Sequence, residues 1–114
     1  MSELHIRPAS SEDLGVMVRF NLALAKETED KELNEPVVRE GVAKALNCPE
    51  LARYFIAEKD GRVVAQTMLT MEWSDWRAGS FWWIQSVYVE PDFRGQKVFS
   101  SIYRFIQNLA TKDP

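Results

Sequence analysis

Apolar positions along the chain follow two rhythms. In three stretches they recur every three to four residues, the spacing of one helix face. Leu14, Met17, Val18, Leu22 and Ala25 form the first, Val38, Val42, Ala45 and Leu46 the second, and Val98, Ile102, Phe105, Ile106 and Leu109 the last. Four other stretches, residues 4–9, 53–58, 63–71 and 81–89, alternate or run apolar over short lengths and read as strands, the last dense in aromatic and β-branched residues. The punctuation between them agrees. Pro8 ends the first strand. Ser10 or Ser11, followed by Glu12 and Asp13, starts the first helix by offering an acceptor to its free N–H groups and negative charge to its positive end. That helix is expected to run to about Lys26. Pro36 fits the first position of the second helix, which Asn47-Cys48-Pro49 ends. Lys59-Asp60-Gly61-Arg62 reads as a hairpin turn, because Asp-Gly supplies the positive φ angles that such turns need. Residues 74–80, with Trp76 and Gly79, read as a loop. The order β-α-α-β-β-β-α, with three strands in succession, predicts an α+β fold in which helices cover an antiparallel meander.

Composition narrows the function classes. A length of 114 residues suits one domain, and 46% hydrophobic with 27% charged residues is globular rather than disordered. A net charge of −3 argues against a nucleic-acid partner. Cys48 is the one cysteine and His5 the one histidine, so neither a disulfide within the chain nor a zinc site is expected. No apolar run approaches a membrane span. Residues 1–5 show no basic segment leading into an apolar one, and a reducing, cytoplasmic location is the expectation. The charged run of residues 27–35 reads either as a solvated loop or as an acidic rim attractive to a cationic substrate. Trp73, Trp76, Trp82 and Trp83 read as core or interface, or as an aromatic wall facing a substrate. Trp82 and Trp83 must point to opposite faces of their strand, so at least one is expected under a helix. Trp73 and Trp76, placed in the loop, are candidates for a pocket lid or a dimer contact.

Chemistry concentrates where the last strand turns into the last helix. Val87, Tyr88 and Val89 lead through Glu90, Pro91, Asp92 and Phe93 to Arg94, Gly95, Gln96, Lys97, Val98, Phe99 and Ser100. A helix start presents unpaired N–H groups and partial positive charge. Gly95 permits close backbone approach, and Arg94 and Lys97 add full charges. Such a loop favours a pyrophosphate, although a plain strand-to-helix connection has much the same composition.

The run strand, Val-Tyr-Val, acidic residue, Pro, aromatic, Arg-Gly, helix resembles the acetyl-CoA signature of the GNAT family of N-acetyltransferases. The resemblance extends over nearly the whole chain: Ile6-Arg7-Pro8-Ala9 looks like that family's opening strand, Glu12-Asp13-Leu14 its first helix, and residues 55–58 with 61–65 its first hairpin. The loop from Trp73 to Gly79 with the aromatic fourth strand most resembles the diamine and polyamine branch. The resemblance implies a mainly antiparallel mixed sheet flanked by helices. It implies acetyl-CoA as cosubstrate, with the pantetheine arm along Val87, Tyr88 and Val89. Arg94, Gly95, Gln96, Lys97, Val98, Phe99 and Ser100 would hold the pyrophosphate. A fourth-strand N–H would polarise the acetyl carbonyl, and a neutral small amine would attack the thioester directly, without a metal.

The chain departs from the family pattern in places. Lys97 and Phe99 stand where the family's loop has its two glycines. Gln85 stands where the polyamine branch has an acidic residue, and an amide cannot act as a base. Glu72 and Glu90 are the remaining nearby carboxylates, read as surface residues as readily as bases. Tyr103, on the last helix, does not match the family's catalytic tyrosine. The chain ends at Thr111-Lys112-Asp113-Pro114, before the fifth strand, fourth helix and closing strands that the family carries. A truncated domain spanning residues 1–114 is therefore expected, completed as a homodimer or by another chain. The alternative is an inactive acetyltransferase-like module that binds CoA or a partner through its exposed strand edge.

Overall fold

The computed structural model describes residues 4–112. The expected Asp113-Pro114 terminus lies outside that range. Four strands, β1 (His5–Pro8), β2 (Arg53–Lys59), β3 (Arg62–Ser74) and β4 (Gly79–Val89), form one sheet in the order β1-β2-β3-β4. Every pairing among them is antiparallel. Helices α1 (Leu14–Glu29) and α2 (Glu35–Asn47) cover one face and α3 (Val98–Lys112) the other. This is the α+β meander expected from the sequence, with no parallel pair among the described strands.

Two apolar clusters fix the layers. Phe55, Ala57, Ala65 and Leu69 of the sheet pack against Val98, Ile102 and Ile106 of α3. Ile56 packs on the opposite face with Met17 of α1 and Val42 of α2. Neighbours in β2 thus enter opposite layers, as the two-residue period of a strand requires. At about 25 cal/mol per Å² of apolar surface, burying side chains of this size contributes roughly 1.5–3 kcal/mol each.

Several element ends differ from the sequence expectation. A short 3-10 turn, Ser11–Asp13, precedes α1. It is held by Asp13, which accepts from the Ser10 N–H at 2.8 Å and from both terminal nitrogens of Arg7. The Arg7 guanidinium holds the Asp13 carboxyl below its ordinary range. Helix α1 runs past Lys26 to Glu29 and stops at Asp30, which is left-handed at φ 49°. Glu27, Thr28 and Glu29 are therefore helical rather than loop, with a Lys26–Asp30 ion pair across the last turn. In α2, Asn34 caps by accepting from the Val37 N–H, and Glu35 precedes Pro36 in the first turn. Asp60 and Gly61 both have positive φ, the turn expected from Asp-Gly.

The largest correction concerns the β3–β4 hairpin. Its strands extend to Ser74 and from Gly79, so the connection is only residues 75–78. Trp73 is a strand residue, 67% exposed, and Trp76 sits at the tip, 95% exposed. Trp82 packs into the α3 cluster while Trp83 faces outward, the opposite placement expected of neighbours. Among the described residues no helix is long and apolar enough to cross a membrane, and no cluster suits a metal ion.

Candidate functional site

The site forms along β4, the outermost described strand of the sheet. Gln66 of β3 pairs with Tyr88 and Met68 with Gln85, so Thr67 alone opposes both Ser86 and Val87. This is a β-bulge, and Ser86 adopts the left-handed region at φ 51°, uncommon for a residue other than glycine. Beyond the bulge the side chains change face. Ile84 packs toward α3 before it, Val89 after it, and Tyr88 turns beneath α1 against Phe20, with ring centroids 5.0 Å apart.

A groove of about 460 Å³ opens where the bulge faces the end of α1. Asn21, Leu24 and Thr28 line one wall, Ser86 and Val87 the other, and Glu29 brings a carboxylate. Asn21 and Leu24 fall within the helix expected from sequence, whereas Thr28 and Glu29 lie past its expected end at Lys26, in the run expected to be loop.

A second concavity, about 290 Å³, lies where β4 turns into α3. Val89, Arg94, Gly95, Lys97, Val98, Phe99 and Ser100 line it together with Phe93, so most of the loop singled out from sequence surrounds one cavity. Gly95 has φ 82° and Lys97 φ 64°. The lysine at the family's first glycine position thus keeps the backbone conformation that glycine favours. The first turn of α3 leaves its amides without partners inside the helix. Gln96 does not line the cavity; its carboxamide accepts from Lys59 Nζ at 3.1 Å and donates to the Asp92 carbonyl.

Arg94 does not reach into open space. Its Nε donates to the Val89 carbonyl at 2.8 Å and its Nη2 to Glu27 at 2.7 Å. Tyr88 completes this cluster by donating its hydroxyl to Glu27 at 3.1 Å. The Arg94 hydrogen bond, then that of Tyr88, holds the Glu27 carboxyl below its ordinary range. Burial, then the Glu27 carboxylate, raises the Tyr88 phenol above its own. Tyr88 therefore has its side chain committed under α1.

The three acid-base candidates lie apart from this groove. Glu90 is buried and accepts from Arg19 at 3.0 Å and Arg62 at 2.7 Å. Glu72 accepts from Trp83 Nε1 at 2.8 Å on the exposed hairpin. Gln85 donates to the Thr70 hydroxyl at 2.7 Å. Sequence reasoning passed over Gln66 and Thr67, both fully buried next to the bulge; polar residues inside a strand that otherwise reads apolar were the available signal.

Comparison with known proteins agrees with this architecture. The family model described as "Acetyltransferase (GNAT) family" matches residues 21–113. A search of curated proteins found no match. The crystal structure of a possible acetyltransferase from Clostridium difficile 630 is 44% identical, with a TM-score of 0.91 over 96% of this chain and 72% of that one. A predicted acetyltransferase with acetyl-CoA from Clostridium acetobutylicum shares the fold at 19% identity and TM-score 0.76, over 96% and 75% of the two chains. Glucosamine-6-phosphate N-acetyltransferase from Arabidopsis thaliana shares it at 17% identity and TM-score 0.72, over 96% and 76%. With a bulged outer strand, a glycine-containing turn into α3 and a family match over most of its length, the chain belongs to the GNAT family of acetyltransferases.

Proposed function

We propose that the protein uses acetyl-CoA to acetylate a small amine by direct attack on the thioester. One juxtaposition carries this reading: the bulge at Ser86 and the cavity of the Arg94–Ser100 loop stand at the two ends of Val87, Tyr88 and Val89. The pyrophosphate lies against the backbone of Arg94, Gly95, Lys97, Val98, Phe99 and Ser100, with the Lys97 charge beside it. The Arg94 guanidinium is already engaged by Val89 and Glu27, so it contributes its backbone and braces the loop to α1. The pantetheine arm runs along the outer edge of β4, which no described strand pairs.

The acetyl carbonyl then meets an N–H at the bulge. A neutral amine entering from the α1 groove attacks the carbonyl carbon. The C–N bond forms, charge developing on the oxygen is stabilised by the N–H, the C–S bond breaks, and coenzyme A leaves as a thiolate. The amine's proton departs through water, and no metal is required. Family membership supports the reading, as does the relative of the same fold whose structure holds acetyl-CoA.

Calorimetric titration with acetyl-CoA, followed by an amine panel monitored through release of free thiol, tests it. Saturable binding and amine-dependent thiol release are expected; a folded chain that binds no acetyl-CoA overturns the reading. A second reading, a non-catalytic module or homodimer joined at the outer hairpin, is favoured by exposed Trp73, Trp76, Phe81 and Trp83. Binding without thiol release, in a particle of twice the chain mass by light scattering, would identify it.

A further inference from the structure

Two adjacent β3 side chains, both fully buried, meet the β4 bulge from opposite faces of the sheet. Gln66 pairs with Ile56 and projects into the α1/α2 layer; Thr67 pairs with Phe55 and projects toward α3. Gln66 Nε2 donates to the Ser86 carbonyl at 3.1 Å. Thr67 Oγ1 donates to the Gln85 carbonyl at 3.3 Å. The two carbonyls belong to consecutive residues at the point where the register slips. A slipped ladder leaves backbone groups without their regular partners, and such groups take replacement partners where the fold offers them. Here side chains supply them, one from each face.

Gln66 holds its place at a cost that packing does not explain. Only its NH₂ end can bond a carbonyl, which orients the carboxamide, and the other end, Oε1, is then buried with no partner among the described residues. An orphaned buried acceptor is destabilising. A residue present only to fill this space would serve better as methionine or leucine, which carry no such acceptor.

We propose that Gln66 and Thr67 are positioning residues that clamp the β4 bulge and so aim its N–H groups at the acetyl carbonyl, an inference that rests on the acetyltransferase reading. Neither side chain touches the reacting atoms. Both act through the backbone of Gln85, Ser86 and Val87, holding Ser86 in its left-handed conformation. A small displacement of such a donor weakens its contact with the oxyanion far more than it disturbs the core.

Gln66→Met keeps the volume, removes the donor and removes the orphaned acceptor; Thr67→Val removes the second donor, and Thr67→Ser keeps it. In Gln66→Met, kcat per folded molecule should fall about tenfold while KM for acetyl-CoA stays within about twofold; Tm should change little, because removal of the orphaned acceptor offsets loss of the bond to Ser86. Thr67→Val should lose about threefold in kcat, and Thr67→Ser should retain wild-type kcat. Activity that falls only in step with the folded fraction, or not at all, overturns the proposal. Amide resonances of Ser86 and Val87 in the ligand-free protein provide a readout independent of turnover. They should move in Gln66→Met, and their constancy would overturn the clamp. A wild-type chain without turnover strikes the functional reading instead, and the resonances alone then decide the clamp.

Discussion

The sheet carries two bulges, and they are built in opposite ways. At the first, Ala57 pairs with Ala65 and Glu58 with Val63, so Val64 is the extra residue of β3. Val64 is fully buried in the α3 cluster, and its carbonyl accepts from the Glu90 N–H at 2.8 Å. Charged pairs brace both flanks. Arg7 holds Glu58 while Asp13 holds Arg7, and Glu90 receives Arg19 and Arg62. At the second bulge Ser86 is left-handed, its neighbourhood opens to a groove, and its carbonyls are met by side chains that leave one buried acceptor orphaned. The same interruption of a ladder is filled with apolar bulk in one place and left open, at a local cost, in the other. Strain and incomplete pairing of this kind persist where surrounding structure over-determines them, and they concentrate at functional sites. On the proposed reading, the first bulge serves stability and the second serves chemistry.

That contrast breaks most visibly at Val64. Val64→Ala should cost about 2 kcal/mol in denaturant unfolding, from lost burial and a residual cavity, and leave turnover per folded molecule unchanged. Loss of kcat at full stability would erase the distinction between the two bulges.

The brace of the first bulge should show a smaller, pH-dependent effect. The folded Asp13 carboxyl titrates below its ordinary range, because Arg7 hydrogen-bonds the ionised form. Its contribution is therefore complete above the unfolded pKa and is lost as pH falls through the folded one. Asp13→Asn should cost about 1.5 kcal/mol at neutral pH, discounted for the partial exposure of Arg7, and should flatten the acid limb of stability against pH. An unchanged acid limb would remove Asp13 from the brace.

The smallest effect should have the opposite sign and belongs to the open end of β4. Lys97→Gly relieves a left-handed lysine at φ 64° but loosens the unfolded chain, so stability should rise by only about 0.5 kcal/mol. Acetyl-CoA binding by this variant should weaken and depend less on salt, as loss of one charge beside the phosphates requires. Salt dependence equal to wild type would place the Lys97 charge away from the ligand.

Local signals carried much of the fold. The turn at Asp60 and Gly61, the opposite faces of Trp82 and Trp83, and the periodic stripe Val98, Ile102, Ile106 were legible because each depends on nearest neighbours or on element period. The turn into α3 was legible for the same reason, its glycine and bases lying adjacent in the chain. Element ends were less so. Glu27, Thr28 and Glu29 are polar, and only their position over the β4 bulge and the Glu27 contact with Arg94 show why the helix continues there.

By itself, then, the sequence determined the order of strands and helices, their apolar faces and the anion-favouring turn, since periodicity and turn chemistry act over a few residues. Tertiary structure alone decided the register slip at Thr67, the left-handed Ser86, the pairing of Glu27 with Arg94 across 67 positions, and the contacts of Gln66 and Thr67 with β4. Where the ladder slips is a property of two strands together, and only their meeting selects the side chains that face the slip.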